Sequence, residues 1–137
     1  VFNLELLAPV RVTPFLDLVT VWNTGISYGL FPQSGKLGQW LLLGVKAIAA
    51  VLLSAWLVRA ESRLTAVALG LIIGGAIGNA IDRVLYGAVF DFILLHITTP
   101  NFTFRWYVFN LADVAIVAGV IGLIYEVVFG RSAVKAP

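Results

Sequence analysis

LTAVALGLIIGGAIGNAIDR, residues 64–83, decides the fold class. Its first eighteen positions carry no charge, and the run closes on Asn79, Asp82 and Arg83, so residues 64–81 read as a membrane-spanning helix with a polar cluster at its far end. Ala66, Gly70, Gly74 and Gly78 recur every four residues and Asp82 extends the row. Such a stripe lets a neighbouring helix approach backbone to backbone, or shapes a cavity.

Two further spans flank it. Residues 37–58 are apolar apart from Gln39, Lys46 and Ser54, and Trp40 and Trp56 lie roughly 24 Å apart along a helix, near the separation of two aromatic belts. Residues 111–129 open with Asp113 and end near Glu126 and Arg131, with Ala115, Gly119, Ala118 and Gly122 as further small faces. Composition agrees with the spans: 61% of the 137 residues are hydrophobic and 12% charged, against about 25% charged in soluble domains, which excludes the soluble globular class. Mean hydropathy is +1.00. The expected architecture is a single membrane domain, an all-α integral membrane bundle with a small β element.

That β element has two sources. VTPFLDLVTVW, residues 12–22, is rich in β-branched and aromatic residues around Asp17 and reads as one short strand before the turn-like Asn23-Thr24-Gly25. Between the second and third spans, Phe102, Phe104, Trp106 and Val108 alternate with Thr103, Arg105 and Tyr107 after Thr98-Thr99-Pro100-Asn101, a pattern that predicts a hairpin. Residues 1–36 hold no apolar run long enough to cross a bilayer and no signal-peptide pattern. Net charge is +2 and no basic block interleaves with aromatics, so nucleic acid is not an expected partner. There is no cysteine, and one histidine, His96, which reads as a surface or interfacial residue of the connection rather than a ligand or base and cannot build a zinc site alone. Basic residues do not orient the chain: Arg59, Arg63, Arg131 and Lys135 on one side balance Arg11, Lys36, Arg83 and Arg105 on the other.

Asp82, Asp91 and Asp113 share one membrane face, because the second span ends where the third begins. Acids near hydrocarbon are functional candidates. Asn79 and Arg83, four apart, face one way, as do Asn110 and Asp113, three apart. Two adjoining carboxylates can share a proton, one accepting from water while the other donates to a carbonyl. The plainer alternatives are that Asp82 and Arg83 cap and anchor a helix and that Asp113 complements a helix dipole. Asp91, inside VFDFI, demands a partner in any case.

Four blocks resemble the lipoprotein signal peptidases, or signal peptidase II family. Asn23-Thr24-Gly25 with Ser27, Gly29, Leu30 and Phe31 is similar to its Asn-x-Gly motif; GGAIGNAIDR, residues 74–83, fits its most specific block. VFDFI, residues 89–93, resembles VVDFI with Phe90 in place of the common Val, and FNLAD, residues 109–113, fits FNxAD. The resemblance implies a membrane aspartic endopeptidase that removes the signal peptide from diacylglyceryl-modified bacterial prolipoproteins, without cofactor or metal. It implies Asp91 and Asp113 as the catalytic pair, their roles interchangeable at this point. Asn23, Gly25, Asn79, Arg83 and Asn110 would bind substrate, and Asp82, Gly74 and Gly78 would position the site, Asp82 beside Arg83 and the chief rival of the pair for a catalytic role. It further implies a monomer in the inner membrane, surrounded by lipid, with the active site and residues 1–36 outside the cytoplasm and Arg59 and Arg63 within it. Family members have four spans, so a first helix is expected to be missing from this chain. Lys46, roughly 9 Å inside Trp40, either snorkels to the interface or stands as a cation near the acids. The competing classes are a small proton-coupled transporter or channel component, and an inactive assembly subunit.

Overall fold

In the computed structural model, residues 8–24 and 36–130 are described. They form two antiparallel strands, β1 (Val10–Thr13) and β2 (Leu16–Asn23), then helices α1 (Lys36–Val58) and α2 (Arg63–Tyr86), strands β3 (Val89–Thr99) and β4 (Phe102–Arg105), and helix α3 (Leu111–Phe129). All three helices are long and apolar enough to cross a membrane. The term all-α does not fit the rest, since the strands join in one four-stranded antiparallel arrangement, β1-β2-β3-β4. Two compact units result: Val1–Ser34 with Ile81–Asn110, and Gly35–Ala80 with Leu111–Pro137.

In the helical unit, α2 starts at a cap: Ser62 Oγ accepts the Thr65 N–H at 3.0 Å, satisfying one of the free amides of the first turn. Its contact with α3 runs through glycines that let main chains approach. A Cβ on Gly75 would stand 2.5 Å from Ala112 O and 2.7 Å from Ile116 Cγ1, and one on Gly119 would collide with Ala68 O. Gly122 and Gly78 lie against Ala68 Cβ and Ala112 Cβ. The expected faces on the third span are therefore used, but the stripe on the second is displaced. Gly70 and Gly74 have nothing within 4 Å of where a Cβ would be, and Gly75 takes the close approach. One position along a helix turns the side chain by about 100°, so Gly75, one residue off the four-residue row, presents a different direction from Gly74.

The sheet unit contains the last turns of α2. The helix continues five residues beyond the expected end at Ile81, so Asp82 and Arg83 lie within it. It stops at Gly87, whose φ of 73° is open to glycine and strained for other residues, and whose N–H donates to Arg83 O at 2.9 Å. The single strand expected over 12–22 is a hairpin instead: Pro14, which has no N–H to give a ladder, sits in the turn between β1 and β2. Asn23 ends β2 rather than opening a turn. Gly25, Ser27, Gly29, Leu30, Phe31, Arg131 and Lys135 lie outside the described residues. The hairpin expected in the connection is present as β3 and β4, joined through Pro100 and Asn101, with Thr98 opposite Thr103.

β3 is interrupted by a bulge. The N–H groups of Phe92 and Ile93 both donate to Phe109 O, at 3.0 and 2.8 Å, and on the other side Val19 and Thr20 stand opposite the single residue Phe92. The bulge changes the phase of the strand, so that Val89 and Asp91 before it and Leu94 and His96 after it are all buried. His96 is thus not a surface residue: it is 6% exposed, and its Nε2 lies 3.1 Å from Asp17 Oδ2 on β2. On the opposite side of β3, Phe90 rests on Trp22 and Phe92, ring centroids 5.2 and 5.6 Å apart, and Trp22 also meets Tyr86.

Candidate active site

Among the described residues Asp91 is the most enclosed acid, 2% exposed at the third position of β3. A carboxylate taken from water needs donors on its oxygens. Two asparagines supply them from opposite sides. Asn110 Nδ2 donates to Asp91 Oδ1 at 2.8 Å and Asn23 Nδ2 donates to Oδ2 at 3.2 Å. Asn23 reaches it because β2 pairs with β3 in a register that puts Asn23 opposite Val89 and Val21 opposite Asp91. Asn110 reaches it because Phe109 bridges to Ile93, which brings the residue preceding α3 alongside the strand. Asn110 Nδ2 also lies 3.4 Å from Phe90 O.

The backbone beside Asp91 is held as well. Asp82 Oδ2, on the last turns of α2, accepts the Phe90 N–H at 3.2 Å. Asp82 therefore grips the strand one residue before Asp91. Arg83 is half-buried beside it.

In the helical unit, Asp113 occupies the first turn of α3 and is 8% exposed. Asn79 Nδ2 donates to its Oδ1 at 3.0 Å across the α2–α3 contact. The Gly75 approach to Ala112, the residue before Asp113, and Gly78 against Ala112 bring α2 close enough for this short amide to reach. Asp91 and Asp113 therefore have the same kind of environment, a buried carboxylate facing an asparagine amide. Amide donors fix a carboxylate's orientation without taking or giving a proton themselves.

Of the residues predicted to form the site, Asn23 and Asn110 converge on Asp91, and Asn79 converges on Asp113. Asp82 engages the Asp91 strand. Gly78 supports the α2–α3 contact, and Gly74 does not touch it. Among the described residues no three His, Asp or Glu side chains gather as a metal site would require. Sequence reading missed the buried contact between Asp17 and His96. Its signal was present, since Asp17 is an acid in an apolar strand, the same feature that singled out Asp91.

Comparison with known proteins gives a consistent result. The family profile described as "Signal peptidase (SPase) II" matches residues 1–129. The lipoprotein signal peptidase of Nitrobacter hamburgensis is 58% identical over 137 residues, covering 100% of this chain and 84% of the relative. That of Rhodopseudomonas palustris strain TIE-1 is 56% identical over 99% of this chain and 83% of its own. A solved structure described as a bacterial membrane enzyme, obtained by the in meso method at 1.9 Å resolution, superposes with a TM-score of 0.74 at 30% identity, covering 93% of this chain and 79% of that one.

Proposed function

The chain belongs to the signal peptidase II family and is a membrane peptidase of lipoprotein precursors, and from that premise we propose that it works as an aspartic endopeptidase with Asp91 and Asp113 as its catalytic pair. The family assignment leaves the transporter or channel reading without support. What carries the aspartic reading is that these two acids are both buried and both oriented by asparagine amides, in motif blocks that fit the family's VVDFI and FNxAD.

The chemistry follows from two carboxyl groups sharing one proton. The ionised member accepts a proton from water as the water oxygen adds to the scissile carbonyl carbon. The protonated member donates to the carbonyl oxygen, giving a tetrahedral intermediate, and a proton then passes to the leaving nitrogen as the C–N bond breaks. Because both carboxylates are held before substrate arrives, little reorganisation is needed at the moment of reaction. Asn23, Asn79 and Asn110 keep the acids in place, and Arg83 with the remaining amide atoms offers donors and acceptors for the substrate backbone. Asp82 acts through the strand: accepting the Phe90 N–H, it fixes the main chain that carries Asp91.

The substrate is a prolipoprotein whose signal peptide ends before a diacylglyceryl cysteine. Its lipid chains lie against the apolar faces of the helices, and the site opens to the outer side of the bacterial inner membrane. The protein acts as a monomer. Incubation with a lipidated precursor tests the reading: cleavage that persists in chelator and disappears in Asp91→Asn supports it, whereas loss on chelation rejects a mechanism of two carboxylates.

A further inference from the structure

The pairing of β2 with β3 could have been continuous in either of two registers, and it is neither. From Leu16 to Leu18 the partners are Leu95 to Ile93; from Val21 to Asn23 they are Asp91 to Val89, one position out of step. Continuing the first register would set Asn23 opposite Ala88 and turn its side chain to the face away from Asp91. Continuing the second would set Asp17 opposite Leu95, away from His96. Only the bulged register puts Asp17, Asn23, Asp91 and His96 on one face of the sheet.

Asp17 and His96 are the polar pair on the far side of the bulge. His96 Nε2 lies 3.1 Å from Asp17 Oδ2, off the line of an ideal hydrogen bond, and the two side chains are 6% and 13% exposed. Arg11, the β1 partner of Asp17, reaches its other oxygen at 3.7 Å, and Arg105 is the β4 partner of His96. The pair is separate from the carboxylates assigned to catalysis. Buried polar pairs stabilise little over apolar ones, and their best-attested use is to select one register among several.

We infer that Asp17 and His96 are positioning residues: their contact holds β2 in its bulged register on β3 and thereby keeps the Asn23 amide on the Asp91 carboxylate. The consequence for cleavage rests on the catalytic role proposed for Asp91; the consequence for register does not.

A chain without cysteine allows the register to be read by cross-linking. Leu16 and Leu95 are partners, and the His96 N–H donates to Phe15 O at 2.9 Å, which makes them a non-hydrogen-bonded pair with close side chains. Leu16→Cys with Leu95→Cys therefore oxidises readily in membranes holding the intact protein. Thr98→Cys with Thr103→Cys, within the β3–β4 hairpin, reports on the rest of the sheet. Adding Asp17→Leu or His96→Leu should lower the first cross-link about tenfold or more, the scale of breaking a buried polar pair, and leave the second unchanged. Cleavage should lose kcat with little change in KM, and the exchanged pair Asp17→His with His96→Asp should restore both. Unchanged cross-linking at Leu16 and Leu95, loss at both cysteine pairs together, or an exchange no better than the single variants overturns the inference. Lost cross-linking with cleavage intact supports the register pin and counts instead against the Asn23–Asp91 contact as part of the catalytic apparatus.

Discussion

Asn23 and Asp91 are 68 residues apart in sequence and meet side chain to side chain, the Asn23 Nδ2 donating to Asp91 Oδ2 at 3.2 Å. The Asn110 Nδ2 holds the other oxygen at 2.8 Å, so the carboxylate is clamped from the strand before it and the segment after it. Both contacts belong to side chains with no other element in common, and both depend on where β3 runs.

The clamp makes a direct prediction. Asn110→Ala leaves a buried carboxylate oxygen without its shorter donor, a loss of about 1–3 kcal/mol. If that loss falls on the transition state, cleavage drops about 10–100-fold. Initial rates on a lipidated precursor measure it, and a rate equal to wild type would remove Asn110 from the site.

Asp82 separates two kinds of acid. As an acceptor for the Phe90 N–H it can be replaced by Asn, whose side-chain oxygen accepts in the same place, but not by Ala. Asp82→Asn should keep cleavage within about threefold and Asp82→Ala should lose about tenfold, the scale of one hydrogen bond. A dead Asp82→Asn would instead identify Asp82 as a proton carrier.

The two members of the Gly74-Gly75 doublet should respond oppositely. Gly75→Ala drives a methyl into Ala112 O and Ile116, an overpacking cost of about 1–3 kcal/mol that pushes α3 and with it Asp113. Gly74→Ala meets open space and gains up to about 1 kcal/mol of helix propensity. Thermal unfolding in detergent should rank them Gly74→Ala, wild type, Gly75→Ala from most to least stable.

These residues also show how far the sequence could be read. α3 covers Leu111–Phe129 because an apolar run broken only by Asp113 and Glu126 begins directly after the FN of FNLAD and holds no glycine in a positive-φ turn. α2 ran past its expected end because charge marks where lipid contact stops, whereas the helix itself stops where the backbone turns at Gly87. Asp91 stood out by residue type, an acid in an apolar run, but spacing grouped Asn110 with Asp113 and Asn79 with Arg83, and the amide bonds from Asn110 to Asp91 and from Asn79 to Asp113 come from tertiary contact. His96 was not: alternation counted from Asp91 sends it to the opposite face, and only the bulge at Phe92 and Ile93, set by the Phe109 carbonyl, returns it to the buried one. Gly75 was illegible for a related reason, since four-residue spacing from Gly70 and Gly78 selects Gly74 instead. Local pattern identifies elements and their chemistry; tertiary contact decides their phase.

The most direct measurement is a double-mutant cycle on cleavage of a diacylglyceryl-modified precursor by Asp91→Asn, Asp113→Asn and the double variant, each with a wild-type thermal transition. If the two carboxylates act as one proton-sharing unit, either substitution removes about 10²–10⁴-fold of the rate and the double variant loses no more than the worse single one. Cleavage surviving either substitution, or losses that multiply in the double variant, would contradict the account.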